Sequence, residues 1–203
     1  MSINTEYEEK MNDAIYTFEH VSSPNELQKL TIDFLKGKII GTNYYYGSLR
    51  EESNKIIDEL IKMNELGFIT ISSKPGEVTQ SKRQRGYVRG LLRSYKYDEF
   101  VKLMNSMCNN IYIRFTHDNT LITSLKNIGA YPEWYWLTES KNQNYTSVKN
   151  VEKPFIEFLE TDIYEELVKY YYDIEIIDLE WGRENYIHNK INISLNIIDI
   201  DSE

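Results

Sequence analysis

The chain has 203 residues, 41% hydrophobic and 27% charged, with a formal net charge of −9; that is enough to bury a core and too acidic to coat nucleic acid. Its single cysteine, Cys108, excludes an internal disulfide and suits a reducing, cytoplasmic compartment. No apolar run approaches the ~18 residues of a membrane span, and the polar start "MSINTEYEEKMND" is unlike a secretory leader.

Residues 1–20 read as an acidic appendage with a weak helical period over 6–19. "SSPNELQKLTIDFLKGK" carries a stronger signal: Ser23 and Glu26 make a capping box and Pro24 takes the first helical position. Leu27, Leu30, Phe34 and Leu35 then form one stripe, and Gly37 ends it. "GTNYYYGSL" reads as a loop. A second capping box, Ser48 with Glu51, predicts a helix through "LREESNKIIDELIKMNELG" with Ile56, Ile57, Leu60 and Ile61 inward and Gly67 as its left-handed stop.

"FITISS" predicts a strand and "KPGE" a turn. Residues 82–93, "KRQRGYVRGLLR", place five cations in a dozen positions of an acidic chain. As a helix the segment would carry two interior glycines at ~1 kcal/mol each. As a strand it alternates Arg85, Tyr87, Arg89 and Leu91 against Gly86, Val88, Gly90 and Leu92. The strand is the better reading, paired antiparallel with 68–72. Beyond it, "KYDEFVKLMNSM" predicts a helix, "NIYIRFT" a strand, "NTLITSLKNIGA" a helix ending at Gly129, and "EWYWLTE" a strand. "FIEFLETDIYEELVKYYY" is helical in its later part, "DIEIIDLEW" is a strand, and "INISLNIIDI" alternates as a final edge strand before an acidic tail over 195–203. The sum is a single α+β domain, its sheet mixed or antiparallel and flanked by helices.

Two constellations carry polar chemistry. In residues 63–90 the hydroxyls of Ser72 and Ser73 and the side chains of Gln84, Arg85, Tyr87 and Arg89 fall on neighbouring strands. The glycines beside them permit close approach of a ligand or of backbone. Arginine suits bidentate capture of carboxylate or phosphate; the plainer reading is a charged edge strand that resists aggregation. The second is "DLEWGRE", where Trp181 and Arg183 end a hydrophobic strand. Either they bind a ring and an anion, or Trp181 is a core residue beside an Arg–carboxylate pair. No phosphate-loop, HExxH or GxSxG pattern is present, and His20, His117 and His188 lack metal spacing. The sequence therefore assigns no metal and no cofactor, and Cys108 reads as a buried structural thiol.

"LIKMNELGFITISSKPG" followed by "QRGYVRG" resembles an uncharacterised domain family, mostly actinobacterial with viral relatives. Its members carry L-x-x-x-N-x-x-G-F-x-T-x-x-S-Q-P-G and then Q-R-x-x-V-x-G-F. The match covers Asn64, Gly67, Phe68, Thr70, Ser73, Pro75, Gly76, Gln84, Arg85, Val88 and Gly90, with Lys74 in place of a Gln and Leu91 in place of a Phe. The family has no assigned activity. The resemblance implies a polar pocket shared by Ser73, Gln84 and Arg85, and the Trp-Gly-Arg end of the later strand predicts that Trp181 or Arg183 borders it. Its expected occupant is a small anionic ligand such as a nucleotide or nucleotide-derived signal, in host cytoplasm if the source is viral. A hydrolase or transferase using Ser73, Glu52 or Asp178 in the same pocket is the alternative, followed by a protein-interaction or virion component. Nucleic acid is disfavoured by charge.

Overall fold

The computed structural model describes residues 3–43, 45, 47–80, 83–108, 110–117, 120–125 and 161–200. Two helices lead: α1 (Ile3–Glu19) and α2 (Pro24–Leu35). Ser23 caps α2, its Oγ accepting from the Glu26 N–H at 3.2 Å. The Glu26 carboxylate reaches back one residue further than a standard capping box, accepting from both N–H and Oγ of Ser22 at 2.7 Å.

The second predicted cap does not form. Glu51–Lys55 is a 3-10 turn without a side-chain cap, and α3 starts only at Ile57, running to Glu65. Ser53 and Asn54, which compete with the backbone for hydrogen bonds, interrupt the helix there. Gly67 ends it with φ +86°, and the chain passes into β1 (Ile69–Lys74). After it come β2 (Glu77–Val78), β3 (Arg83–Arg93), α4 (Tyr97–Met107), β4 (Ile111–His117), β5 (Thr120–Leu125), α5 (Tyr164–Tyr170), β6 (Tyr171–Trp181) and α6 (Tyr186–Ile200).

Among the described residues the strands make one sheet in the order β1-β3-β6-β4-β5, with β2 paired to the start of β3. Every pairing is antiparallel, so the fold is α+β. The predicted β1–β3 pair is present, with Ile69 opposite Leu91 and Lys74 opposite Tyr87. β3 lies between β1 and β6, so its arginines do not guard a free sheet edge.

Two expectations are overturned. Residues 120–125 form β5, not a helix: Thr120, Ile122 and Thr123 are β-branched and pair with His117, Phe115 and Arg114 of β4. The rest of that predicted helix and the predicted strand at 133–139 lie outside the described residues. The "INISLNIIDI" segment is helical, not an edge strand or the start of a tail. Ile187, Ile191, Leu195 and Ile198 repeat every three or four residues and are all buried; that helical period overrides the local alternation.

One face of the sheet, with Val88, Leu92, Ile174 and Ile176, packs on α3, α4 and α6 through Leu60, Met63, Phe100, Met104 and Ile191. Cys108 is buried in this cluster, as predicted. On the other face, Ile69, Ile71 and Leu91 meet Phe18 of α1, Leu27 and Phe34 of α2, and Leu167 of α5. Gly90 permits the first packing: a Cβ there would run into the Phe68 ring and stand 2.5 Å from the Ile69 carbonyl oxygen. Asn64 ties the helix to the strand, donating to the Leu60 carbonyl at 2.8 Å and to Thr70 Oγ1 at 2.7 Å, and accepting from the Thr70 N–H at 3.2 Å. No helix among the described residues is long and apolar enough to cross a membrane.

Polar groups also line the α3–α6 contact. Asn185, just before α6, and Asn192 on it donate to the Glu59 carboxylate and carbonyl on α3. His188, on α6 between these two positions, is fully buried with neither ring nitrogen hydrogen-bonded. Burial drops its pKa from 6.5 to about 3. The native imidazole is therefore neutral where the unfolded one already takes a proton. His188 adds no pH dependence to stability well above pH 6.5, and stability falls as pH drops from 6.5 towards 3, by up to ~1.4 kcal/mol per pH unit. His188→Leu should remove this component: in urea unfolding at about pH 7.5 and about pH 5, the variant gains on the wild type at the lower pH. An equal difference at both values would show that the imidazole titrates normally in the fold.

Candidate functional site

A cleft of about 250 Å³ opens beside β1. Thr31, Phe34 and Leu35 of α2, Leu60 of α3, Tyr45, Leu49 and the turn residues Arg50, Glu52 and Ser53 form one side. Five consecutive residues of β1, Thr70 to Lys74, form the other, with Tyr87 of β3 behind them. A bulge between Thr70 and Ser72 shifts the strand so that Ile71 stays in the core while Ser72 reaches the cleft, a role bulges often take beside sites. Ser72 Oγ and the Tyr87 hydroxyl are 2.8 Å apart. Burial raises the Tyr87 pKa, against the lowering effect of the Ser72 hydrogen bond, so the phenol is neutral at ordinary pH.

The sequence-predicted residues divide. Ser72, Ser73 and Tyr87 line the cleft; Gln84, Arg85, Arg89, Trp181 and Arg183 are not among its lining residues. Gln84 is buried and donates to the Pro75 carbonyl at 2.6 Å. Arg85 lies over the Trp181 ring at 4.3 Å, with Nε donating to the Leu179 carbonyl at 3.0 Å. Burial holds its pKa below the ordinary guanidinium value although the charge of Asp178 opposes this. Arg89 makes a bidentate pair with Asp173, Nε to Oδ1 at 3.0 Å and Nη2 to Oδ2 at 2.7 Å. Arg183 grips the fully buried Asp178 with Nε and Nη2 and packs on Tyr186, its guanidinium carbon 3.6 Å from the ring centroid. Trp181 is half-buried; the arginine–carboxylate pair weighed beside it is present.

The glycines let backbone meet backbone. A Cβ on Gly76 would stand 2.6 Å from the carbonyl oxygen and 2.8 Å from the carbonyl carbon of Arg183. The Gly76 N–H donates to the Glu184 carbonyl at 3.1 Å, and Gly182 takes φ +78° against Val78. "SKPG", "QRG" and "WGR" thus interlock into one junction at the outer end of β1.

The family model for a domain of unknown function, DUF6919, matches residues 17–121. The chain belongs to the DUF6919 family. The DUF6919 match contains every cleft residue, from Thr31 to Tyr87, while Asp173, Trp181 and Arg183 lie beyond it. A comparison with curated proteins finds no match.

Sequence reasoning missed the cleft's own cations, Arg50 and Lys74. Neither makes an ion pair among the described residues. Lys74 did carry a signal, standing where the resembled pattern has a glutamine. Arg50 carried none, because the false cap at Ser48 and Glu51 put it inside a helix. The Arg89–Asp173 pair sits in the sheet interior, the two side chains only 14% and 3% exposed. Arg89→Ala should therefore destabilise the fold by about 3–5 kcal/mol, the usual cost of leaving one charge of a buried pair uncompensated. Arg89→Lys should fall between the two, since an ammonium cannot reproduce the fork. Urea unfolding measures this; a loss below ~1 kcal/mol is what a solvent-screened pair would give.

Proposed function

We propose that this DUF6919 protein binds a small anionic ligand in the cleft beside β1. The observation that carries this reading is the pairing of two cations that lack ion pairs among the described residues, Arg50 and Lys74, with the hydroxyls of Ser53, Ser72, Ser73 and Tyr87 in one concave space. Charge-assisted hydrogen bonds of this kind supply both orientation and affinity. The anion-binding role first read into Arg85 and Arg89 moves to Arg50 and Lys74. On this reading the signature running from Asn64 to Gly90 marks a frame shared with actinobacterial and viral relatives, and two of its residues, Thr70 and Ser73, line the cleft itself. A nucleotide or nucleotide-derived signal remains within the class.

A hydrolase or transferase is the second reading, favoured by the 2.8 Å approach of Ser72 and Tyr87. It ranks lower because the Tyr87 phenol keeps its proton and so cannot serve as the base for a serine nucleophile.

Isothermal calorimetry against nucleotides and small carboxylates tests the proposal. Arg50→Gln and Lys74→Gln are each expected to weaken binding roughly tenfold, the loss of one charge-assisted contact. Arg85→Ala should leave affinity unchanged. No binding across the panel, or affinities indifferent to both cleft cations, would overturn the proposal.

A further inference from the structure

The cleft runs along the edge of a strand and not against a sheet face. Successive side chains of a strand point to opposite faces, so a cleft on one face is lined by alternate residues. Here five in a row, Thr70 to Lys74, line it. Among the described residues β1 is also the outermost strand of the sheet, with β3 on its inner side. A strand so placed turns N–H and C=O groups outward, where a further strand can pair with them.

The free stretch of this edge is bounded at both ends. At one end the Thr70 N–H donates to Asn64 Oδ1 at 3.2 Å. At the other, Pro75 has no N–H, its carbonyl accepts from Gln84 at 2.6 Å, and the Gly76 N–H donates to the Glu184 carbonyl. Between these ends, the backbone of residues 71–74 makes no hydrogen bond beyond its pairing with β3 among the described residues. Ser72 is exposed, and Ser73 and Lys74 are half-buried, so a ligand reaches this stretch. The plainer reading is a guarded edge, since a bulge and a lysine are common guards against pairing. Yet α2 and the turn at 50–53 wall the far side of the cleft. That wall obstructs a second sheet and admits a single extended segment.

We infer that the ligand is an acidic peptide segment that adds to residues 71–74 as a short extra strand, its carboxylates on Arg50 and Lys74. Main-chain pairing supplies affinity in this mode of recognition, and side-chain contacts supply specificity; Phe34, Leu35, Leu49 and Leu60 give the cleft apolar contacts for the intervening residues. This rests on the anion-binding reading above and narrows it, because a peptide engages the cations and the unpaired backbone together.

The test is calorimetry on the full chain with four probes: the acetylated and amidated pentapeptide Val-Glu-Val-Glu-Val, its glutamine counterpart, the acidic sequence with every amide N-methylated, and glutarate. The acidic peptide is expected to bind at least about tenfold tighter than each of the others, since each lacks either the charge or the backbone donors. It should also slow amide hydrogen exchange within residues 71–74. Lys74→Gln should weaken the acidic peptide roughly tenfold and leave the glutamine peptide unchanged. If the N-methylated peptide or glutarate matches the acidic peptide, or only nucleotides and small carboxylates bind, the peptide class is overturned while the anion site stands. Concentration-dependent protection of the same amides without peptide would assign the edge to a second copy and overturn it too. Failure of every anion, nucleotides included, would overturn both readings.

Discussion

The Pro75–Gly76 turn lies against the backbone of Arg183 at a distance that no side chain at position 76 would permit, and much of the structure is arranged around that contact. Gln84 holds the turn from one side through the Pro75 carbonyl, and the Glu184 carbonyl holds it from the other through the Gly76 N–H. Three segments are thereby tied at one corner of the sheet: the end of β1, the nearby start of β3 and, far along the chain, Arg183 and Glu184 just after β6. The corner sets where Ser72, Ser73 and Lys74 stand, and so the outer wall of the cleft. It also brings Trp181 over Arg85.

The dense arginines of β3 follow from the same frame. β6 brings Asp173, Glu175 and Asp178 into the sheet interior, all buried. Carboxylates in that position need cationic partners. Arg89 meets Asp173 directly, and Glu175 stands opposite Arg89 in the β3–β6 register. An acidic chain gathers cations in this strand because its neighbour strand carries buried carboxylates. Apart from Tyr87, the polar side chains that line the cleft come from elsewhere, from α2, a turn and the outer strand.

Local rules made much of this legible in the sequence. Gly37 and Gly67 both take positive φ where a helix must stop, Ser23 caps α2, and the alternation in 84–91 identified a strand against the pull of its helix-compatible arginines. The errors came where local and global signals compete. Thr120–Leu125 lacks turn residues and reads either way until β4 supplies hydrogen-bond partners. Residues 186–200 alternate locally but bury a helical stripe. The Ser48–Glu51 motif satisfies a capping rule that Ser53 and Asn54 defeat. At the candidate site the partners were invisible in the sequence: Arg89 and Asp173 are 84 positions apart, as no spacing argument can anticipate. Arginine, glycine and serine close in sequence suggested one pocket, yet the arginines and glycines build the frame and the serines face the space beside it.

Amide hydrogen exchange at Gly76 tests this division most directly. If the corner holds the frame together, Gln84→Ala removes a buried hydrogen bond worth about 1 kcal/mol, and the Gly76 amide exchanges roughly fivefold or more faster through local opening. Amides in the middle of β3 and β6, such as Val88 and Ile176, keep their wild-type protection. Unchanged exchange at Gly76 in the variant would contradict the account, because the turn would then hold its place without the contact on which the corner is said to depend.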